Sequence, residues 1–186
     1  MIEDALSILL FVICVLLSAF FSSSEVALIS ITRAKTRTLV NEGKHGSKAL
    51  AELKEKPDRL LITILIGNNI VNIAAASLAT AIAIRIFGDV GVGIATGLVV
   101  IILLIFGEIG PKIYATRASD SFALTVAPVV FFLSRLLSPV IWLVERVSPR
   151  FGIGKEINEP TLTEEEIKEW IDVGTVSYTH LTLPTN

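Results

Sequence analysis

Three long apolar runs restrict what this chain of 186 residues can fold into. They cover residues 5–31, 60–84 and 94–114. As a helix rising 1.5 Å per residue, each run is long enough to cross the roughly 30 Å hydrocarbon core of a bilayer. The chain is also 52% hydrophobic, which is typical of an integral membrane protein. We therefore predict an all-α membrane protein that crosses the cell membrane several times.

Charges outside the apolar runs predict how the chain is oriented. Residues 33–59 carry eight Lys or Arg against four acidic residues, whereas Arg85 is the one basic residue between the second and third runs. By the positive-inside rule, the first connection is cytoplasmic, the N-terminus lies outside and the C-terminus is cytoplasmic. Orientation and contact with lipid headgroups account for these basic residues, so we expect no binding of nucleic acid.

Two shorter segments beside the spans are predicted to be juxtamembrane or re-entrant amphipathic helices. They cover residues 34–56 and 120–147. The second segment is apolar, but Pro128, Arg135 and Pro139 divide it into pieces of about ten residues, which are too short to cross a membrane.

The predicted membrane domain occupies residues 1–150, and a different composition follows it. Residues 151–174 are expected to form a linker and the start of an acidic cytosolic helix, where Thr163 and Glu166 match a capping box. Residues 175–186 have no helical period, which indicates a cloning-derived tail. Because this acidic helix has nothing to pack on, we expect that a soluble domain has been removed.

The third apolar run ends with a carboxylate, Glu108, inside the predicted hydrocarbon region. An ionisable side chain at that depth is costly and marks a functional site by default. Pro111 has no N–H, so the carbonyl of Gly107, four residues earlier, loses its helical donor. The alternative interpretation is a proline-kinked helix end in which Glu108 pairs with Lys112, four residues on.

The other two runs carry polar side chains at a similar depth. Ser18, Ser22 and Glu25 share one face of the first run, and Asn68 and Asn72 are one turn apart on the second. Counted from the basic residue at each cytoplasmic end, the polar groups of the three runs lie roughly 12–20 Å above the inner boundary. This common depth favours an ion site over isolated interhelical hydrogen bonds.

The predicted metal ligands are all oxygen donors. They are Ser22, Glu25, Asn68, Asn72, the main-chain carbonyl of Gly107, and Glu108. No histidine lies in the spans, and no thiol lies at this level, which favours a hard cation such as Mg²⁺ over zinc or copper. Lys112 is expected to neutralise Glu108 when no ion is bound. Because no Ser–His pair or histidine cluster is present in the spans, no enzymatic activity is predicted.

Three motifs follow one another along the three spans. They are Phe21-Ser22 with Glu25-Val26-Ala27-Leu28, then Gly67-Asn68-Asn69-Ile70-Val71-Asn72, and then Phe106-Gly107-Glu108-Ile109-Gly110-Pro111-Lys112. In this order they resemble the cyclin M (CNNM)/CorC family of magnesium transporters, including its CorB-like members, over about residues 5–170. The resemblance implies a homodimer of three-span protomers that holds a cation in an inward-open cavity. It also implies Ser22, Asn72, Gly107 and Glu108 as ligands, with Glu25 and Asn68 lining the cavity.

The resemblance also bears on function and on bound molecules. Members of that family continue into an acidic helical bundle and a pair of CBS domains that bind Mg-ATP, and the resemblance here ends at the start of the bundle. No nucleotide is therefore expected to bind this chain. The expected function is Mg²⁺ transport, with efflux as the direction that the resemblance implies. The alternative is a non-transporting Mg²⁺ sensor or scaffold that regulates another transporter.

Overall fold

A computed structural model describes residues 2–88, 91–117 and 119–147 of the chain. Within these ranges every regular element is helical and no strand is present. The acidic helix and the tail predicted over residues 151–186 lie outside the described residues.

The helices follow one another with short connections. In chain order they are α1 (Ile2–Ser30), α2 (Arg33–Asn41), α3 (Ser47–Glu55), α4 (Pro57–Phe87), α5 (Gly91–Ile102), a π-helical segment (Leu103–Ile109), α6 (Gly110–Arg117), α7 (Ser119–Leu136) and α8 (Ser138–Val147). The chain divides into two compact units, Met1–Glu145 and Arg146–Asn186, so all of these helices except the last two residues of α8 belong to the first unit.

Three helical stretches are long and apolar enough to cross a membrane: Ala5–Ser30, Pro57–Phe87 and Thr96–Arg117. The third is continuous through α5, the π-helical segment and α6. The predicted class, an all-helical protein with three spans, is therefore confirmed for the described residues. The second span begins at Pro57 because proline is suited to the first helical turn, and it ends at Gly88, whose φ is +66°.

The burial of α1 changes along its length. Its first half is apolar and largely exposed, as Leu9 and Leu16 show, whereas Ser22, Ala27 and Leu28 in its second half are fully buried. This second half packs against α4, the third span and α7, so α1 lies at the centre of the helix bundle. The polar half of the helix thus faces the other helices, and the apolar half is left exposed.

The short helices α2 and α3 lie beside the end of α1 and the start of α4. The backbone N–H of Lys35 donates to Thr32 Oγ1 over 3.2 Å, which caps the start of α2. Leu39, Leu50 and Leu53 are buried, whereas the charged residues of both helices are exposed or, in the case of Lys54, partly exposed. This pattern is that of amphipathic helices packed on the ends of the spans.

Pro128 lies inside the 18-residue helix α7, so the prediction that it divides this segment is wrong. Proline deprives the carbonyl of Leu124 of its helical donor. Gly46, in the connection between α2 and α3, has φ +80°, and a Cβ there would overlap that Leu124 carbonyl. The glycine therefore lets a distant loop pack directly on the carbonyl that the proline exposes.

Helix α7 ends at a sharp bend, where α8 leaves at 71°. Arg59, in the first turn of α4, spans the bend: its Nη2 donates to the Ser134 carbonyl over 3.4 Å and to Ser138 Oγ. The guanidinium thus satisfies a carbonyl in the last turn of α7 and a side chain in the first turn of α8. Through Arg59, the second span is hydrogen-bonded to both α7 and α8.

Candidate cation site

The hydroxyl of Ser18, fully buried in α1, lies at the centre of a cluster of oxygens from all three spans. Its Oγ donates to Asn72 Oδ1 over 2.7 Å. The same oxygen lies 3.4 Å from Asn68 Oδ1 and 3.4 Å from the carbonyl oxygen of Gly107. We call Ser18, Asn68, Asn72, Gly107 and Glu108 the oxygen cluster.

The oxygen cluster has more acceptors than protons. A serine hydroxyl carries one hydrogen, so it can satisfy one of the three acceptors around it. The short contact to Asn72 uses that hydrogen, and the two contacts of 3.4 Å are too long and too poorly supplied with hydrogen to count as equal bonds. A cation satisfies such a surplus of lone pairs better than a further neutral group.

The carboxylate of Glu108 joins the cluster through Asn72. The amide nitrogen of Asn72 donates to Glu108 Oε1 over 3.2 Å, while its amide oxygen accepts from Ser18. The two neighbours require opposite ends of the amide, so they fix its orientation. Asn72 therefore holds the one carboxylate of the cluster, on the third span, next to the hydroxyl of the first.

Gly107 lets the third span approach α1 closely. A Cβ at this position would lie 2.9 Å from Ser18 Oγ and 3.3 Å from Ser18 Cβ, so a side chain here would require Ser18 or one of the two helices to shift. Gly67 serves the same purpose between α4 and α1, because a Cβ there would overlap the ring of Phe21. Both glycines occur in the motifs on which the sequence resemblance depends.

Gly107 and Glu108 lie in the π-helical segment, which the sequence analysis did not predict. The backbone N–H of Gly110 bonds to the carbonyl of Ile105, five residues earlier, which is the wider π pattern. Pro111 follows immediately and has no N–H to offer Gly107. Single π-helical turns inside α-helices are frequent at functional sites, since they redirect carbonyls and side chains.

Lys112 forms an ion pair with Glu25 of α1, with 3.0 Å between Nζ and Oε2. The expectation that Lys112 neutralises Glu108 is therefore wrong for this structure. The packing of α6 on α1 brings Glu25 within reach of Lys112 instead. Both partners of the pair are partly exposed.

Ser22 lies on α1 between the oxygen cluster and the Glu25–Lys112 ion pair. It is fully buried, and its hydroxyl has no hydrogen-bond partner among the residues that the structure describes; the same is true of Ser24. Leaving a buried hydroxyl unpaired costs roughly 1–3 kcal/mol. Ser22 Oγ is thus a further oxygen on the cluster's face of the helix that no protein group satisfies.

The structure brings four of the six predicted ligands together: Asn68, Asn72, Gly107 and Glu108. Ser22 lies one turn away from their centre, and Glu25 is held by Lys112. Ser18 was noted in the sequence but not proposed as a ligand, although it lies four residues before Ser22. In the described part of the chain, no three His, Cys, Asp or Glu side chains come together, so the cluster depends on neutral oxygens around one carboxylate.

Comparison with known proteins finds relatives of this chain and a matching protein family. A family model described as the cyclin M transmembrane N-terminal domain matches residues 9–177. A UPF0053 protein of Haemophilus influenzae is 36% identical over 164 residues, which cover 86% of this chain and 39% of the relative. The UPF0053 inner membrane protein YfjD of Escherichia coli is 36% identical over 132 residues, covering 71% of this chain and 31% of the relative.

A more distant relative has a name that states a substrate. The polyamine export protein of Haemophilus influenzae is 24% identical over 184 residues, covering 90% of this chain and 43% of the relative. The chain thus spans between 31% and 43% of the length of these three relatives. With the three spanning helices, the matches identify a multi-pass membrane protein.

Proposed function

This chain belongs to the cyclin M transmembrane family, and we propose that it carries Mg²⁺ across the membrane by way of the oxygen cluster. The observation that carries the proposal is the meeting of three acceptor oxygens around the single hydroxyl hydrogen of Ser18, with the Glu108 carboxylate bonded to Asn72 beside them. A hard divalent cation prefers oxygen ligands of these kinds.

Mg²⁺ would be held in part by the protein and in part by its own water. Mg²⁺ dehydrates reluctantly and is commonly bound by one or two carboxylates while it keeps several waters. Glu108 supplies the carboxylate, and Asn72, Asn68 and Gly107 supply neutral oxygens. For Asn72 Oδ1 to turn to the ion, Ser18 has to direct its hydrogen elsewhere, so binding rearranges the hydrogen bond between the first two spans.

In the Glu25–Lys112 ion pair, the carboxylate of Glu25 is compensated by a cation of the protein itself. With this pair intact, Glu108 is the one uncompensated carboxylate at the cluster, which limits how tightly a divalent ion is held. Weak binding suits a transported ion, which has to be released. The pair therefore supports a role for the cluster in transport in preference to permanent storage.

Further parts of the proposal depend on charge distribution and family membership. The basic connection of residues 33–59 supports a cytoplasmic location for α2 and α3, with the N-terminus outside. The resemblance supports a homodimer and export as the direction of transport.

The test is Mg²⁺ flux from liposomes that contain the purified 186-residue chain, measured with a Mg²⁺-sensitive dye. Changing Glu108→Gln removes the cluster's charge and is expected to lower the flux at least tenfold, because a charge-assisted contact contributes about 1.5–3 kcal/mol. Glu42→Gln, an identical change at an exposed residue at the end of α2, is the matched control and should transport normally.

Two other outcomes would replace the proposal. Mg²⁺ binding that depends on Glu108, without flux under a gradient, would favour the sensor or scaffold. Flux of spermidine in preference to Mg²⁺ would indicate a substrate like that named for the polyamine export relative. Unchanged Mg²⁺ flux and binding in the Glu108→Gln variant would remove the cluster from the mechanism.

A further inference from the structure

A cavity of about 350 Å³ lies between α3, α4 and α7, away from the oxygen cluster. No residue of the oxygen cluster lines it. Its walls contain Lys56 from the connection before α4, Arg59 from the first turn of α4, and Arg135 from the last turn of α7. Three cationic side chains from two sides of one cavity form a basic surface that the proposed transport does not use.

The cavity lies at the level where a membrane's headgroups begin. Arg59 is the third residue of the second candidate span, which starts at Pro57. The same end of the bundle contains the last residue of the third span, Arg117, and the basic connection that holds α2 and α3. Arginine and lysine at the ends of spans lie at the interface between hydrocarbon and water.

The wall of this cavity contains both apolar and charged side chains. Leu53, Leu60 and Phe131 line the cavity together with the basic residues. Leu53 and Leu60 are buried, and Phe131 packs against the same hydrophobic core. A cavity with both kinds of wall at this depth suits an amphiphile, whose phosphate and acyl chains have different requirements, better than a small soluble anion.

The charges of the cavity match a singly charged group. Lys56, Arg59 and Arg135 face two carboxylates, Glu52 and Glu55, which leaves one net positive charge. A phosphodiester carries one negative charge, whereas phosphomonoesters and polyphosphates carry more and would be opposed by the two carboxylates. The balance therefore selects a phosphodiester headgroup.

Two of the cations are held in position by the protein itself. Arg59 bonds to the Ser134 carbonyl and to Ser138 Oγ through the same nitrogen, Nη2, and a guanidinium has five N–H donors in all. The guanidinium of Arg135 lies 4.7 Å from the centre of the Phe131 ring. Both are thus oriented before any ligand binds, which lowers the entropy cost of binding.

We propose that this cavity binds the phosphodiester headgroup of an anionic phospholipid, with the acyl chains lying toward Leu60 and Phe131. Arginine contributes a planar, multidentate donor that suits phosphate oxygens. Because Arg59 also joins α4 to the bend between α7 and α8, a bound headgroup reinforces that bend. This inference does not depend on Mg²⁺ transport.

The experiment measures the thermal unfolding midpoint of the full 186-residue chain in detergent while phosphatidylglycerol is added. The lipid should raise the midpoint, and the concentration needed should increase about tenfold for Arg135→Gln and for Lys56→Gln. The matched control is Lys48→Gln, an exposed residue of α3 outside the cavity, which should respond as the unchanged chain does. Arg59→Gln is informative only together with these two variants, since it also removes the contacts at the bend.

Three outcomes would overturn the proposal. An equal response to phosphatidylcholine would show that the negative charge of the headgroup is not recognised. The same rise produced by millimolar inorganic phosphate would assign the cavity to a soluble anion. An unchanged lipid response in both Arg135→Gln and Lys56→Gln would place the lipid elsewhere. Each result is independent of Mg²⁺ flux, so loss of one proposal leaves the other standing.

Discussion

Two polar groups of residues lie about two turns apart on α1 and differ in how their charges are balanced. Around Ser18, neutral oxygens and the Glu108 carboxylate meet with too few hydrogens to satisfy them. Around Glu25, the carboxylate has its own cation, Lys112. The comparison teaches that polarity within a membrane does not by itself mark an ion site. What distinguishes the oxygen cluster is that its acceptor oxygens outnumber its hydrogens and that its carboxylate has no cation of its own among the described residues.

The largest effect is expected from a substitution that deforms the oxygen cluster without changing a charge. In the Gly107→Ala variant, the new methyl group would lie 2.9 Å from Ser18 Oγ and require Ser18 or one of the two helices to shift. Overpacking of this kind costs roughly 1–3 kcal/mol, so we expect a lower thermal unfolding midpoint and a loss of Mg²⁺ flux of about fivefold to a hundredfold.

Gly97→Ala is the matched control for that change, because Gly97 also lies in the third span and a Cβ there meets nothing within 4 Å. It should leave both flux and stability close to those of the unchanged chain. Equal flux from both alanine variants would show that close approach at Gly107 is not needed for transport.

A smaller effect is expected from removing Lys112, the cation that compensates the charge of Glu25. In Lys112→Met the ion pair is lost, and Glu25 adds a second uncompensated charge near the oxygen cluster. Mg²⁺ should then bind about threefold to tenfold more tightly, as measured by isothermal titration calorimetry, and leave more slowly.

The double variant Glu25→Gln with Lys112→Met separates charge from packing. It removes both charges, so the affinity for Mg²⁺ should return to that of the unchanged chain. Affinity that stays high in the double variant would mean that the lysine acts through its shape, and affinity that never rises in Lys112→Met would mean that the pair does not influence the oxygen cluster.

The smallest effect is expected at Ser22, between the two groups. Its buried hydroxyl has no partner among the described residues, so Ser22→Ala should stabilise the ion-free protein by up to about 1 kcal/mol. If the hydroxyl also binds the ion, the same change should weaken Mg²⁺ binding about threefold. Opposite signs in unfolding and in titration are the expected result.

Ser23→Ala is the natural control for Ser22. Ser23 is buried next to it, but its hydroxyl donates to the Ala19 carbonyl of its own helix over 2.7 Å. Its loss should not increase stability and should not change Mg²⁺ binding. If Ser22→Ala behaves in the same way, Ser22 is a packing residue.

The sequence allowed the three spans and most of the oxygen cluster to be predicted. Run length and residue type were enough to predict the spans, because a helix satisfies its own backbone N–H and C=O groups, as lipid requires. The similar depth of Asn68, Asn72 and Glu108 followed from counting residues along each helix. These predictions needed distances along the chain and no knowledge of how the helices pack.

The features that were missed depend on contacts between helices. A membrane serine usually bonds to its own backbone, as Ser23 does, so nothing local shows that Ser18 lies at the centre of the cluster. The partner of Lys112 depends on how α6 packs against α1, and Pro111 alone does not predict the π-helical segment that precedes it. Pro128 remains within α7, and Gly46, more than eighty residues away in the chain, packs against the carbonyl that the proline exposes.

The contact between Gly46 and Leu124 has a mechanical consequence. The α2–α3 connection is seated on one carbonyl of α7, and Lys35 of α2 joins Asp120 of the same helix over 3.3 Å. Sliding either part along the other would strand that carbonyl and separate the charges. The α2–α3 connection and α7 are therefore held together at one end of the spans, and we expect them to move together in the transport proposed above.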